Sequence, residues 1–213
     1  MAADLLVLAT RNAAKLRELA RVLPSSVRVA GLAGFPGAPD VPETGATFEE
    51  NALLKARAIA RYTGLLAVAD DSGLSVDALG GMPGVLSARW AGAHGDDLAN
   101  LNLVLAQVAD VPDARLGARF VCAAALVLPP GRPAAEAPRE WVVTGQVAGR
   151  LVRAPRGSGG FGYDPIFLPD GSGLTTAEMA PEAKDAISHR GRAFRALAPF
   201  IQASIRQGAS VDR

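Results

Sequence analysis

Leu65 to Gly73, LLAVADDSG, is an apolar run of strand length that stops at two carboxylates, a hydroxyl and a glycine. A buried strand delivering acidic groups to the rim of a sheet reads this way, and such rims are where α/β proteins keep their chemistry. The same residues also suit an Asp-Ser-Gly turn whose side chains bond their own backbone. The flanking sequence decides between the two. Upstream, Leu5 to Ala9 reads as a short buried strand, and Leu16, Leu19, Ala20 and Leu23 follow at helical spacing. Pro24 to Thr44 reads as a loop with one short strand around Val27 to Leu32. Thr47-Phe48-Glu49-Glu50 is a capping box opening a helix with the apolar face Ala52, Ala56, Ile59 and Ala60, which Gly64 terminates.

Downstream, Leu74 to Asp77 reads as another short extended piece and Gly80 to Gly84 as a turn cluster. Asp96 caps a helix with apolar positions Leu98, Leu101, Val104, Leu105 and Val108, most simply a packing helix. Phe120 to Leu128 and Trp141 to Val147 read as a hairpin joined by a Pro-rich charged connector, and Ile166 to Leu168 as a further strand. Pro181 opens a helix, and Phe194, Leu197, Ala198 and Ile201 mark the last one, bent at Pro199. This order predicts an α/β fold, an elongated mixed β-sheet flanked by helices, in one two-lobed domain over residues 1–213.

Composition narrows the function classes. The 213 residues are 49% hydrophobic and 20% charged, enough to bury a full core. A formal net charge of +1 provides no global field to draw the chain onto nucleic acid or anionic lipid, so anion binding must come from local arrangement. The single cysteine, Cys122, lies in an apolar run and reads as a buried thiol. The N-terminus lacks a basic lead, and no segment approaches the roughly 18 apolar residues of a membrane span. Together these predict a cytoplasmic protein with neither nucleic acid nor membrane as partner. Of 22 basic residues only three are lysine, Lys15, Lys55 and Lys184, so each marks a position where a compact point charge has been kept among arginines.

Several stretches carry candidate chemistry. In TRNAAK, Thr10 and Asn12 fall beside a helix N-terminus suited to a phosphate, with Lys15 one turn in; the plainer reading is an Asn cap and a solvated Lys. RAPRGSGGFGYDP, residues 153–165, spells GxGxxG through Gly157, Gly159 and Gly162, yet lacks the strand before and helix after that a dinucleotide fingerprint needs. What remains is a flexible loop whose backbone can approach a ligand. Phe161 and Tyr163 there suit stacking on a base or plugging a core edge. His189 and Arg190 form a donor pair suited to a carbonyl or phosphate oxygen.

Taken together, TRNAAK (10–15), ETGATFEENALLKA (43–56), ADDSGLSVDALGGMPG (69–84), GGFGYDP (159–165) and SHR (188–190) resemble the inosine triphosphate pyrophosphatase family over nearly the whole chain. The resemblance implies Mg²⁺-dependent hydrolysis of noncanonical purine nucleoside triphosphates (ITP, dITP, XTP) to the monophosphate and pyrophosphate, by attack at the α-phosphorus. It implies Asp71 as the catalytic carboxylate and a metal ligand, with Ser72 beside it at the substrate. Thr10, Arg11, Asn12, Ala13, Ala14, Lys15 and Lys55 match triphosphate-facing positions. Phe161, Gly162, Tyr163, Asp164, Lys184, His189 and Arg190 match positions around the nucleoside. Arg89 falls where some members carry a substrate-contacting Lys. Many members have two adjacent Glu before the Thr-Gly; here the first is Pro42, leaving Glu43 as the second metal candidate. A cleft between the lobes and a homodimer are also implied.

The residue chemistry agrees. Hard oxygen ligands on Mg²⁺, lysines and helix N-termini are the usual means of neutralising a triphosphate, and a carboxylate can orient or deprotonate the attacking water. Donors from Arg190 or His189 would pair with a 6-oxo purine and be left unpaired by adenine. Three alternatives stand beside this. An aspartyl phosphatase wants DxD, whereas Asp70 and Asp71 are adjacent and point to opposite faces of a continuing strand. A non-hydrolysing nucleotide sensor would be expected to lack the catalytic acid. A pyrophosphatase for another modified nucleotide would differ in its base pocket alone.

Overall fold

The computed structural model describes residues 5–131 and 139–211. Its six strands are β1 (Leu5–Leu8), β2 (Arg28–Gly31), β3 (Leu66–Val76), β4 (Gly117–Val127), β5 (Glu140–Leu151) and β6 (Phe167–Pro169). Five helices accompany them: α1 (Ala13–Val22), α2 (Phe48–Thr63), α3 (Asp97–Gln107), α4 (Pro181–Ile187) and α5 (His189–Val211). The strands form one sheet in the order β2-β1-β3-β4-β5-β6. β1 pairs in parallel with β2 and β3, whereas β5 and β6 are antiparallel, so the sheet is mixed as expected.

The expectation for LLAVADDSG needs one correction. The strand does not stop at the carboxylates; β3 runs eleven residues, through Asp70, Asp71, Ser72 and Gly73, and the extended piece at Leu74 is its continuation. Asp and Ser disfavour strands because they bond their own backbone, but here tertiary partners for both carboxylates override that preference. Likewise the strand expected at Ile166 begins one residue later, after a 3-10 turn at Asp164–Ile166. α5 continues through Pro199.

Contacts divide the chain into two compact units. Among the described residues, the first comprises 5–71, 123–131, 139–145 and 190–211. β1 to β3 supply its parallel ladder, and α2 buries Ala52, Ala56, Ile59 and Ala60, the face read from the sequence. Thr47 caps α2 by accepting the Glu50 N–H, while the Glu50 carboxylate reaches back to the Ala46 N–H instead of the Thr47 N–H of a standard box. Gly64 closes the helix in the left-handed region at φ 67°. In α1, Leu19 and the following Leu23 are buried, but Ala20 is exposed.

The second unit comprises residues 72–122 and 146–189. Its core gathers Leu74 and Val76 from β3, Leu101 and Val104 from α3, Phe120 from β4, and Ile166 and Phe167. Asp96 caps α3 as expected, accepting the Ala99 N–H, and Val108 just past the helix is buried. Leu98 departs from the expectation: it is exposed, outside the apolar face.

Candidate active site

The three lysines have one environment in common. Each ammonium is paired with a buried aspartate: Lys15 with Asp70, Lys55 with Asp71, and Lys184 with Asp164. A buried carboxylate is retained only when charge and hydrogen bonds compensate it, so these pairs mark where the fold has invested in polarity.

In the first unit, the alternation of β3 sends Asp70 and Asp71 to different partners. Asp70 receives Lys15 Nζ at 3.0 and 2.8 Å on its two oxygens and Arg190 Nε at 3.1 Å. Burial alone would raise its pKa; the Lys15 and Arg190 charges outweigh it and hold the carboxyl well below the usual carboxylate range. Lys15 reaches this point from α1, just after Thr10 and Asn12, whose N–H donates to Thr10 Oγ1. Arg11 instead pairs with Asp40 at an exposed position, and Ala13 is exposed at the start of α1. The Ala14 side chain lies outside the described residues.

Asp71 has the opposite electrostatics. Its Oδ1 accepts Lys55 Nζ at 3.0 Å and its Oδ2 accepts Asn51 Nδ2 at 3.1 Å. Lys55 Nζ also donates to Glu43 Oε1 at 2.7 Å, so one ammonium sits between two carboxylates. Burial raises the Asp71 pKa, Glu43 adds to the rise, and Lys55 and Asn51 oppose it; the result is about 6. For Lys55, burial works against the charge but the surrounding carboxylates prevail and its pKa is raised.

Asn51 was not among the residues singled out from the sequence. It is fully buried, donates to Asp71, and accepts the Gly45 N–H at 2.7 Å. The available signal was its place four residues before Lys55, hence on the same face of α2. Asp70 was read as half of a motif and not as a partner of Lys15 and Arg190.

Among the described residues, no group of three His, Cys, Asp or Glu side chains could hold a metal. Glu43 and Asp71 nevertheless supply two hard oxygen donors with one net negative charge beyond Lys55. That suits Mg²⁺, which commonly takes one or two carboxylates and leaves its other positions to water and phosphate.

In the second unit, Asp164 organises the glycine-rich loop. Its Oδ2 accepts the Phe161 N–H at 2.8 Å and Lys184 Nζ at 2.5 Å, and its Oδ1 accepts the Thr176 hydroxyl at 2.8 Å. The glycines are needed by the chain itself. A Cβ on Gly160, at φ 74°, would fall 2.1 Å from Asp164 Oδ2, and one on Gly157 would fall 2.5 Å from the Ala177 backbone. At Gly157 and Gly160 the loop closes on its own neighbours, whereas a Cβ on Gly162 would meet nothing within 4 Å.

The two loop aromatics divide between the two readings. Tyr163 is buried and donates its hydroxyl to Ser87 O at 2.8 Å, which makes it a core-edge plug. Burial, with the Asp97 charge, raises its pKa. Phe161 is 60% exposed, with Lys184 Nζ 5.3 Å from its ring centroid. His189 stacks on Phe120, centroids 5.1 Å apart. Arg89 ends the 3-10 helix Gly84–Arg89 and is partly buried, and Ser72 is partly buried on β3.

Known proteins match this chain along nearly its full length. The family model described as Ham1 family matches residues 6–200. A dITP/XTP pyrophosphatase of Streptomyces coelicolor is 58% identical over 200 residues, 92% of this chain and 96% of that protein. One from Nocardia farcinica is 58% identical over 92% of this chain and 94% of its own. A crystal structure of the nucleoside-triphosphatase / dITP/XTP pyrophosphatase of Mycobacterium abscessus matches with TM-score 0.76 at 57% identity, covering 92% of this chain and 99% of that one. A HAM1 protein from Coxiella burnetii matches with TM-score 0.84 at 40% identity, over 93% and 98% of the two chains. With the fold and these matches in agreement, the chain belongs to the Ham1 family.

Proposed function

We propose that this protein hydrolyses noncanonical purine nucleoside triphosphates, of the ITP, dITP and XTP class, to the nucleoside monophosphate and pyrophosphate. The relatives' names supply the substrate class. The observation that carries the chemistry is Asp71, a buried carboxylate held by Lys55 and Asn51 with its pKa at about 6. Burial is the main cause of that rise; a cation held beside Asp71 would favour its ionised form, the form in which it can accept a proton from water.

Asp71 accepts the proton of the attacking water, and Asn51, donating to its other oxygen, fixes the carboxylate plane. Lys55 and Lys15 face the triphosphate, with Thr10 to Asn12 at the head of α1 presenting donors to phosphate oxygens. Glu43 and Asp71 are the residues that would hold Mg²⁺, which when bound neutralises the triphosphate and draws its phosphorus toward nucleophilic attack. Phe161 offers a stacking surface, and Asp164 holds Lys184 beside it. Arg190 and His189 supply donors for the 6-oxo group of hypoxanthine or xanthine, and adenine would leave them unmatched. A homodimer acting in the cytoplasm, on a small nucleotide and not on nucleic acid or membrane, completes the proposal. Among the described residues, no helix is long and apolar enough to cross a membrane.

The test is product analysis with Mg²⁺ and ITP, XTP, ATP or GTP. IMP plus pyrophosphate from ITP, little product from ATP, and loss of both in Asp71→Asn are expected. IDP plus orthophosphate, or undiminished turnover by Asp71→Asn, would refute it.

A further inference from the structure

The sequence presents α3 as a packing helix, but its first turn does more. Asp97, its first residue, accepts the Gly162 N–H on Oδ2 at 2.8 Å. One turn on, Asn100 accepts the Ala91 N–H on Oδ1 at 2.7 Å, fastening the segment just after Arg89. Asp97 is exposed and does not cap the helix; Asp96 does, through the Ala99 N–H. Its bond crosses 65 residues of sequence to a single backbone donor.

That donor is the middle of the Phe161-Gly162-Tyr163 turn. The Phe161 N–H is held by Asp164 and the Tyr163 hydroxyl by Ser87 O, so the turn is pinned on either side of Gly162. Gly162 itself has φ 60°, and a Cβ built on it meets nothing within 4 Å. The peptide that immediately follows Phe161 is held at both ends: its carbonyl accepts the Asp164 N–H at 3.3 Å, and its N–H, on Gly162, donates to the Asp97 carboxylate, the one of the two bonds that reaches outside the turn. The Phe161 ring is 60% exposed and contributes little to the core, so its orientation depends on the backbone under it and on Lys184, whose Nζ lies 5.3 Å from the ring centroid.

We propose that Asp97 is a positioning residue: by accepting the Gly162 N–H it fixes the turn that presents the Phe161 ring to the substrate's base. The assignment rests on the reading of Phe161 as a base-stacking surface. Losing the bond lets the turn sample other conformations, and only the fraction in the stacking geometry binds well. A hydrogen bond of ordinary net strength corresponds to roughly five- to tenfold in such an equilibrium.

The test compares Asp97→Ala with Asp97→Asn in the full-length protein. Asn keeps an oxygen acceptor at the same reach but removes the charge that favours a helix N-terminus, so the pair separates the hydrogen bond from helix electrostatics. Hydrogen–deuterium exchange across residues 159–164 reads the Gly162 amide without any need for turnover, and KM and kcat for ITP read the consequence. Expected are exchange at Gly162 and KM each raised about fivefold or more in Asp97→Ala, kcat little changed, and both near wild type in Asp97→Asn. Unchanged exchange in Asp97→Ala overturns the proposal, as does an equal effect of both variants, which would assign Asp97 to helix electrostatics. Faster exchange with no rise in KM would overturn the link to the base. If the wild-type protein turns over no purine triphosphate, the functional reading fails and the exchange data alone decide whether Asp97 fixes the turn.

Discussion

Replacing Lys55 with Met removes the single ammonium lying between Glu43 and Asp71 while keeping the length of the side chain. Its contacts are 2.7 and 3.0 Å, and the Lys55 side chain is 16% exposed. At such separations and an effective dielectric of about 20, the attraction to each carboxylate is roughly 6 kcal/mol before desolvation is subtracted. Breaking a buried pair in practice costs about 3–5 kcal/mol, because the remaining charges are left uncompensated. Part of that loss is avoided by protonating Asp71, at about 1.4 kcal/mol per pKa unit, so its pKa should climb by roughly one to two units from its value of about 6. The sign of the stability effect follows. Asp71 is raised above its ordinary 3.8, so the folded state holds a proton that the unfolded state has released, and stability falls as pH rises through that window. Lys55→Met widens the window upward, so its deficit should be larger at pH 8 than at pH 5 by about 1.4 kcal/mol for each unit that the Asp71 pKa rises, while the loss of the Lys55–Glu43 pair contributes at both. The assay is ¹³C NMR titration of the Asp71 carboxyl in metal-free protein, with urea denaturation at both pH values. An Asp71 that titrates in Lys55→Met at or below its wild-type value, or a deficit equal at pH 5 and 8, would refute the reasoning.

Other perturbations test the remaining parts. Added Mg²⁺ should lower the Asp71 titration point in wild type, because a bound cation favours the carboxylate; an unmoved NMR titration would remove Asp71 from the metal site. Asp70→Asn removes the carboxylate to which Lys15 and Arg190 both donate and should cost about 3 kcal/mol or more at pH 7 by urea denaturation. Because the Asp70 pKa is depressed in the fold, its contribution is present above the unfolded value and lost in acid, so the deficit should shrink as pH falls below about 4. Gly160→Ala forces a side chain onto Asp164 at positive φ and should lower thermal stability by about 1–3 kcal/mol, with a raised KM as Lys184 is displaced. Thr47→Ala removes the α2 cap and should cost about 1 kcal/mol in a melting experiment, leaving KM near wild type.

Part of the candidate site's geometry was legible because rare residue types stand out. In an Arg-rich chain the three lysines each proved to sit on a buried aspartate, as a retained point charge would. Thr47, Gly64 and Asp96 were legible because caps are local chemistry. The course of β3 was not: Asp70, Asp71 and Ser72 carry the local signature of a turn, and the partners that hold the two carboxylates extended lie far away at residues 15, 51, 55 and 190. No pattern confined to LLAVADDSG could disclose them. The reason for two of the loop's glycines was not legible: the atoms filling the space beside Gly157 and Gly160 belong to Ala177 and Asp164, which sequence spacing does not reveal. Asp97 and Asn100 went unnoticed because they hold backbone N–H groups, and a backbone donor has no residue type to recognise.

The central claim is that water assisted by Asp71 attacks the α-phosphorus of a 6-oxo purine triphosphate. Hydrolysis of ITP in ¹⁸O-labelled water, with the products resolved by mass spectrometry, tests it most directly. One ¹⁸O in IMP and none in pyrophosphate is the predicted result, with turnover lost in Asp71→Asn. Label in pyrophosphate or orthophosphate, or labelled IMP formed at an undiminished rate by Asp71→Asn, would contradict it.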